Sequence, residues 1–498
     1  MILQAIERAL IKVLESGITF EKNKNEDHPS EGLLLGMAGH PYDSRKWEKV
    51  FLPNRDRLKH LYILGSTGSG KTKLIENLIR QDILAGRGVC VIDAHGDLCN
   101  SIIQYLAYLA TIQNSFSFLE VLSNKLILIE PFNQQSVVGF NPLETKRYSS
   151  FSQASELIGI FKKFWQDAYW GPRMEELLRN TFITLSENGL TMLEASRLLT
   201  DSYFREKMVE GLKNEVARDY WVNRYHTLSD KMQAVYREPV LNRMAIFIGD
   251  PGVRLMLGQA RSTIDFRDIM DKGKWLIINL SKGQLRENAY LLGSLLIAKL
   301  KLAVMTRAEL PEKERLPFYA FIDEFQYYTG EDFDFETMLS EARKYGLALT
   351  MAHQNLDQIN LKLKTSILGN VGTQLIFRLS HHDALQISQE MDLKARPLIE
   401  KHLIDFKVCQ AYVKLKGQKP RLLRTIHVPE MKINQQIIQI IKDTSFADYA
   451  RPIREVEEEI ARRQNMFPTI TDSSTRPLQT RRPRVVQNND LAEGWNDW

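Results

Sequence analysis

The stretch HLYILGSTGSGKTKLIENLIRQDIL, residues 60–84, constrains this chain more than any other. A short apolar run ends in a glycine-rich loop of the form GxxxxGKT, and a helical pattern follows at once. In that setting the loop is a phosphate cradle. Its members are Gly65, Ser66, Thr67, Gly68, Ser69, Gly70, Lys71 and Thr72. Glycines let backbone N–H groups converge on phosphate oxygens, and the helix N-terminus adds partial positive charge. Lys71 can reach the β- and γ-phosphates, and the Thr72 hydroxyl can bind Mg²⁺. The expected cofactor pair is ATP with Mg²⁺.

A loop of this kind implies a parallel sheet, and the sequence supplies one. Further apolar runs occur at Val89–Ile92, Leu126–Ile129, Trp275–Leu280, Phe318–Ile322, Leu347–Met351 and Gln374–Phe377. Continuous apolar runs of this length suit strands buried on both faces. Helical patterns separate most of them, so the fold class is α/β with a mostly parallel sheet.

The chain has 498 residues, enough for about three domains. Its 44% hydrophobic and 26% charged residues exclude a wholly disordered or fibrous chain. Lys and Arg total 66 against 61 Asp and Glu, a net charge of +5 that permits an anionic partner without arguing for one. Cys90, Cys99 and Cys409 show no CxxC spacing, so neither a zinc site nor a disulfide framework is expected, and a reducing compartment is. The longest apolar helical stretch, Tyr290 to Met305, is interrupted by Lys299 and Lys301 and is short of the ~20 apolar residues of a spanning helix. The N-terminus does not read as a secretory signal. The expected location is cytoplasmic, or peripheral to a membrane through a partner, with no direct span.

Residues 1–30 read as an amphipathic helix (1–16) and a polar loop. Residues 31–144 and 269–449 read as two parts of one nucleotide-binding domain. Between them, 145–268 shows almost only helical periodicity, with Met174, Leu177, Leu178, Phe182 and Leu185 as one stripe, and reads as an inserted all-α domain. Phe406–Ile426 reads as a hairpin with Gly417 and Pro420 in its turn, and 450–466 as a charged C-terminal helix. The tail, 467–498, is rich in Ser, Thr, Pro, Arg and Asn and is expected to be disordered. It is basic first (Arg481, Arg482, Arg484), then acidic and aromatic; its GWNDW end could dock on a partner protein or simply be solvated.

Beyond the phosphate loop, FYAFIDEF delivers Asp323 and Glu324 at a strand end. Asp323 suits the Mg²⁺ shell and Glu324 the attacking water. LALTMAHQ ends in Gln354, which could contact the γ-phosphate or water; a loop-facing side chain is the other reading. Arg378, after QLIF, is the candidate cation closing the γ-phosphate from a neighbouring subunit, with Arg343 as its competitor and a structural ion pair as the alternative for each. Asp93, His95 and Asp97 alternate in VIDAHGDL but lack further ligands, so a capped turn beside the cleft is expected rather than a metal cage. His381, His382 and Asp383 likewise read as helix capping.

Together HLYILGSTGSGKT, VIDAHGDL, EPFN with GFNPLE, WGPRMEELLRN, the REPVLNRMAIF to LGQARSTIDF region, LIINLSKG, FIDEF, SEARKYGLALTMAHQ and NVGTQLIFR resemble the HerA–FtsK superfamily of P-loop ATPases. The closer resemblance is to the TraG/TraD branch of conjugative coupling proteins and their soluble relatives, over residues 30–465. It implies a RecA-like sheet, a hexameric ring, nucleotide between subunits with a trans-acting arginine, and nucleic acid threading the pore. Carried over by residue, Gly65–Thr72 bind phosphate, Asp323 and Glu324 are the magnesium and catalytic acids, Gln354 is the sensor and Arg378 the finger. The transmembrane helices of membrane coupling proteins have no counterpart in this sequence, and Ala94 stands where relatives often carry proline.

For DNA the residues themselves argue weakly. Lys162, Lys163, Arg173 and Lys282, with Trp165 and Trp170 for stacking, are pore candidates, and solvent-facing charge is the simpler account of each. The resulting expectation is a ring-forming ATPase, a hexamer, that moves DNA with little sequence preference, alongside a partner such as a nuclease, relaxase or membrane channel. The rivals are an ATPase acting on protein cargo and an ATP-gated scaffold controlling a partner effector.

Overall fold

The computed structural model describes residues 32–465 apart from 41–42, 113–115, 147, 165–169, 330–334 and 432. The expected N-terminal helix, the tail with its GWNDW end, and Trp165 lie outside the described residues.

Eleven strands form one sheet in the order β2-β1-β12-β11-β10-β3-β9-β8-β4-β7-β5. Seven adjacent strands are parallel: β3 (Leu61–Leu64), β4 (Gly88–Asp93), β5 (Leu126–Ile129), β7 (Trp275–Asn279), β8 (Phe318–Ile322), β9 (Leu347–His353) and β10 (Thr373–Ile376). Alternate residues enter two separate cores. Leu61, Ile63, Val89 and Val91 pack on one face with α1 (Lys71–Leu84) and α2 (Asp97–Ile112). Tyr62, Leu64, Cys90 and Ile92 pack on the other. Burial on both faces is why these strands read as unbroken apolar runs.

Four antiparallel strands extend the sheet beyond β10. The hairpin of β11 (Gln410–Leu415) and β12 (Arg421–Thr425) turns at Gly417, whose φ is +81°. Then come β1 (Gly32–His40) and β2 (Asp43–Pro53), with β1 paired to β12. The hairpin was legible; the β1–β2 pair was not, so the parallel core carries an antiparallel flank that the apolar runs alone do not announce.

Between β6 (Ser136–Val138) and β7 every described element is helical, including α3 (Ser150–Phe164), α4 (Pro172–Glu187) and α5 (Asp230–Ile248). Met174, Leu177, Leu178, Phe182 and Leu185 of α4 are all buried. These helices do not enclose a core of their own. Phe161, Phe182 and Phe247 belong to the same apolar cluster as Ile92, Ile278 and Leu292 of the sheet domain. The insert is therefore packed directly on one sheet face.

The helix α6 (Asn288–Thr306) shares that cluster. With its next turn it is long and apolar enough to cross a membrane, yet 72% of the qualifying stretch is buried inside the protein. Lys299 on this helix donates to the Glu144 carbonyl at 2.6 Å. Burial pulls its ammonium down to about 7, with Lys146 acting in the same direction and Glu144 and Asp265 opposing. An unfolded lysine binds its proton up to about pH 10.4, so between about 7 and 10 the unfolded chain holds a proton that the folded chain lacks. This group's contribution to stability accordingly rises with pH across that window. Lys299→Met is expected to flatten the rise in unfolding free energy between pH 7 and 9; urea titrations at both pH values, showing an unchanged slope, would contradict this.

The C-terminal segment straps the two parts together. The helix α7 (Gln435–Tyr449) packs on the β5 edge, β13 (Ala450–Pro452) pairs with β6, and α8 (Ile453–Asn465) lies against the insert. Arg463 of α8 ion-pairs with Glu194 at 2.8 Å and donates to the Gly258 carbonyl. Cys90, Cys99 and Cys409 are all free.

Candidate nucleotide site

The C-terminal ends of β3, β4, β8, β9 and β10 lie side by side, and four of them deliver the singled-out residues to one crevice. The phosphate loop hangs from both neighbouring strands. Gly65 N–H donates to the His353 carbonyl at 3.3 Å and Ser66 N–H to the Arg378 carbonyl at 2.8 Å. Glycine is needed at 65 because a Cβ there would sit 2.5 Å from Phe377 Cβ. Gly68 and Gly70 have φ of +73° and +108°, the region that a side chain disfavours.

Three features fit this loop to a triphosphate. The first turn of α1 begins at Lys71 with no side-chain cap, leaving its N–H groups to an anion. Ser69 Oγ is buried and has no hydrogen-bond partner among the described residues. Lys71 is buried, with Nζ donating to the carbonyls of Gly65 at 2.5 Å and Ser66 at 3.2 Å. Burial lowers the Lys71 pKa, and the charges of Glu324 and Asp323 act against that shift.

The residues also fit Mg²⁺. Thr72 Oγ1 lies 3.3 Å from Asp323 Oδ2. Burial pushes the Asp323 carboxyl up to about 6, helped by Glu324 and Asp93 and opposed by Lys71. A carboxylate crowded by two others is suited to a divalent cation. Among the described residues no cluster of three or more His, Cys, Asp or Glu forms a metal cage. Mg²⁺ binds through one or two side chains, waters and substrate phosphates, and Thr72 with Asp323 is a donor set of that kind.

Glu324 follows β8 in the left-handed region, with φ 51° and ψ 48°. Its two oxygens are each held by an amide: Gln354 Nε2 donates to Oε1 at 2.7 Å and Gln326 Nε2 to Oε2 at 2.6 Å. The Thr67 hydroxyl in turn donates to Gln354 Oε1 at 2.8 Å. A continuous path thus joins the phosphate loop, Gln354 and Glu324. Gln326 was not singled out from the sequence, nor was His353, whose ring lies 2.5 Å from the Tyr62 hydroxyl and edge-on to Phe325. Burial drops His353 to about 3, so this imidazole is neutral support beneath the site.

Arg378 lies beside the loop of its own chain, with Nε 3.5 Å from Ser66 Oγ. Arg343 is exposed in the turn before β9, at the opposite end of the sheet, and cannot reach this crevice within one chain. Asp93 accepts from the N–H groups of His95 at 2.9 Å and Cys99 at 3.0 Å, a capped turn beside the crevice. Ser380 caps the helix beginning at His381 by accepting from Asp383 N–H at 3.2 Å.

The described pore candidates fall in two groups, Lys163 with Lys282 at Tyr327, and Lys162, Trp170 and Arg173 around one cleft. Lys163 Nζ donates to the Tyr327 carbonyl at 2.7 Å, and Lys282 Nζ sits 5.1 Å from the Tyr290 ring centre. Lys162, Trp170 and Arg173 line an open cleft of about 740 Å³ on the insert, where Arg179 and Arg224 pair with Glu175 and Glu176.

Comparison with known proteins agrees with this fold. The sequence model of the type IV secretion-system coupling protein DNA-binding domain family matches residues 45–391. The plasmid coupling protein TrwB, solved in complex with ADP and Mg²⁺, superposes with a TM-score of 0.55 at 15% identity, over 83% of this chain and 99% of that one. VirB4 of Thermoanaerobacter pseudethanolicus gives 0.51 at 13% identity, over 81% and 98%. No curated protein matches the sequence. With more than half of its length matched, and with a RecA-like P-loop sheet to carry the match, the chain belongs to the family of type IV secretion-system coupling protein DNA-binding domains, the TraG/TraD-like branch of the HerA–FtsK P-loop ATPases.

Proposed function

We propose that this protein hydrolyses ATP with Mg²⁺ and uses the reaction to move DNA, with little sequence preference, through a ring of its own copies. The observation that carries the reading is the convergence of Lys71, Thr72, Asp323, Glu324 and Gln354 at one strand edge. When bound, Mg²⁺ neutralises developing charge on the β- and γ-phosphate oxygens. Thr72 and Asp323 would hold it. Lys71 and the N–H groups of the loop bind and orient the phosphates. Glu324 accepts a proton from the attacking water, and Gln354 registers the γ-phosphate between Thr67 and Glu324. Arg378 stands against Ser66, close enough to steady phosphate charge on its own loop. A finger from a neighbouring copy would require a second surface, and Arg343 is an exposed arginine at the far sheet end.

The location follows from the same reading: cytoplasmic, peripheral to a membrane secretion channel through a partner. A relaxase, nuclease or membrane channel is the kind of partner a coupling ATPase serves. A second reading, protein cargo or a gated effector, is favoured by the insert cleft. Its Arg179 and Arg224 are neutralised by Glu175 and Glu176, which suits a polypeptide better than a polyanion.

One experiment separates the readings. ATP turnover is measured alone and with single- or double-stranded DNA, beside electron microscopy with a slowly hydrolysed ATP analogue. The DNA reading expects DNA-stimulated turnover, weakening as salt rises, and closed rings with density in the pore. Turnover indifferent to both DNA forms, or particles that remain single copies with nucleotide, would overturn it.

A further inference from the structure

Lys163 is in the last turn of α3, in the helical insert, and points its ammonium into the sheet domain. It is half-buried, and among the described residues no carboxylate pairs with it. Among the described residues its ammonium donates to the Tyr327 carbonyl at 2.7 Å, and the centre of the Phe164 ring lies 4.9 Å from Nζ. Desolvation pulls this amine down to about 7. A methionine of similar length would fill the same space without that penalty. What a lysine supplies there and a methionine does not is the hydrogen bond to the Tyr327 carbonyl.

What it holds is informative. Tyr327 closes the short turn Phe325–Tyr327 that starts directly after Glu324. The same turn carries Gln326, whose amide grips Glu324 Oε2. On its far side the turn is fixed rigidly. The Tyr327 ring stacks on Tyr290 of α6 with centres 4.2 Å apart, and Lys282 Nζ lies over both rings. Tyr328 packs so tightly on Gly293 that a Cβ there would collide with its ring. Ser294 Oγ donates to the Tyr328 carbonyl at 3.3 Å. Among the described residues the turn thus packs on α6 of the sheet domain and is tied to the insert by the Lys163 hydrogen bond.

We propose that Lys163 is a positioning residue through which the helical insert sets the orientation of Glu324. The inference rests on the hydrolysis reading and adds regulation to it: whatever engages the insert acts on the attacking water through α3, Lys163, Tyr327 and Gln326. A shift of about 1 Å at a catalytic group can cost on the order of 100-fold in rate, so a single hydrogen bond on this turn has leverage.

The test is the ATPase kinetics and melting temperature of the full chain with Lys163→Met and Lys163→Arg. Lys163→Met is expected to lower kcat by about 10- to 100-fold, leave KM for ATP unchanged, and lower Tm by no more than about 2 °C. Lys163→Arg, which keeps a charged donor, is expected to restore most of kcat. Wild-type kcat in Lys163→Met overturns the inference alone. So does a fall in activity that tracks a large loss of Tm, since that is a merely structural role. Absence of turnover in the wild type, with ATP and Mg²⁺ present, sinks the hydrolysis reading and takes this inference with it.

Discussion

Lys71→Ala is expected to lose roughly a thousandfold in kcat/KM for ATP, with the fold intact. Among the described residues the Lys71 Nζ donates to the carbonyls of Gly65 and Ser66. Those bonds are replaceable by phosphate oxygens at little rearrangement. Alanine removes the charge that offsets a triphosphate in a crevice already holding Asp323, Glu324 and Asp93. Three carboxylates facing three phosphates without Lys71 would repel the substrate as well as the transition state. Binding should therefore weaken together with turnover, and a fluorescent ATP analogue should show both. The protein should still melt cooperatively near the wild-type temperature, because the N-terminus of α1 is held by Gly65, Ser66 and Ser69 through the backbone. Wild-type turnover in Lys71→Ala would mean that the loop binds something other than a nucleoside triphosphate.

The phosphate loop was legible because its geometry is local: glycines, a lysine and a helix start within eight residues. Asp323 and Glu324 were legible because they end an apolar strand, and a strand end in a parallel sheet is where ligands bind. The partners of Glu324 were not. Gln326 lies two residues on, at no periodic spacing, and reaches back only because Glu324 adopts φ 51°. The strands β1 and β2 were missed for a different reason. Gly32, Gly36 and Gly39 dilute the pattern of GLLLGMAGH, and the partner of β1 is β12, near the other end of the chain. Gly36 is required there, since a Cβ would collide with the Arg424 carbonyl.

Arg378 shows what strand order adds. From sequence it is an arginine after an apolar run, the candidate cation from a neighbouring subunit, with Arg343 as its competitor and a structural ion pair as the alternative. The sheet places β10 directly beside β3, so the residue after β10 meets the loop after β3 in the same chain. Periodicity cannot reveal that adjacency, because β3 and β10 are joined through the whole intervening domain. The stripe on α4 was likewise readable, whereas the sharing of its core with Ile92 and Ile278 of the sheet was not. That sharing matters for the proposed mechanism: an insert packed on a face of the sheet whose strands carry Asp323 and Gln354 moves with them or strains them.

Glu324→Gln is expected to separate binding from cleavage. The phosphate loop, Lys71 and the Thr72–Asp323 pair are untouched, so ATP and Mg²⁺ should bind with at least wild-type affinity. Removing a negative charge beside the γ-phosphate favours the bound state further. Cleavage should fall by on the order of 100- to 1,000-fold, the usual worth of a positioned general base. The isosteric amide also disturbs the local path: both Glu324 oxygens accept from amide nitrogens, and a glutamine offers only one carbonyl oxygen to Gln354 and Gln326. One of the two must turn away or meet N–H with N–H. If Gln354 turns, its bond with Thr67 reverses as well, with the hydroxyl accepting from the amide instead of donating to it. The variant should therefore accumulate intact ATP in rapid filtration, where the wild type retains ADP. Recovery of ADP at the wild-type rate would remove Glu324 from the chemistry and shift the role of base to Asp323 or to a residue of another copy.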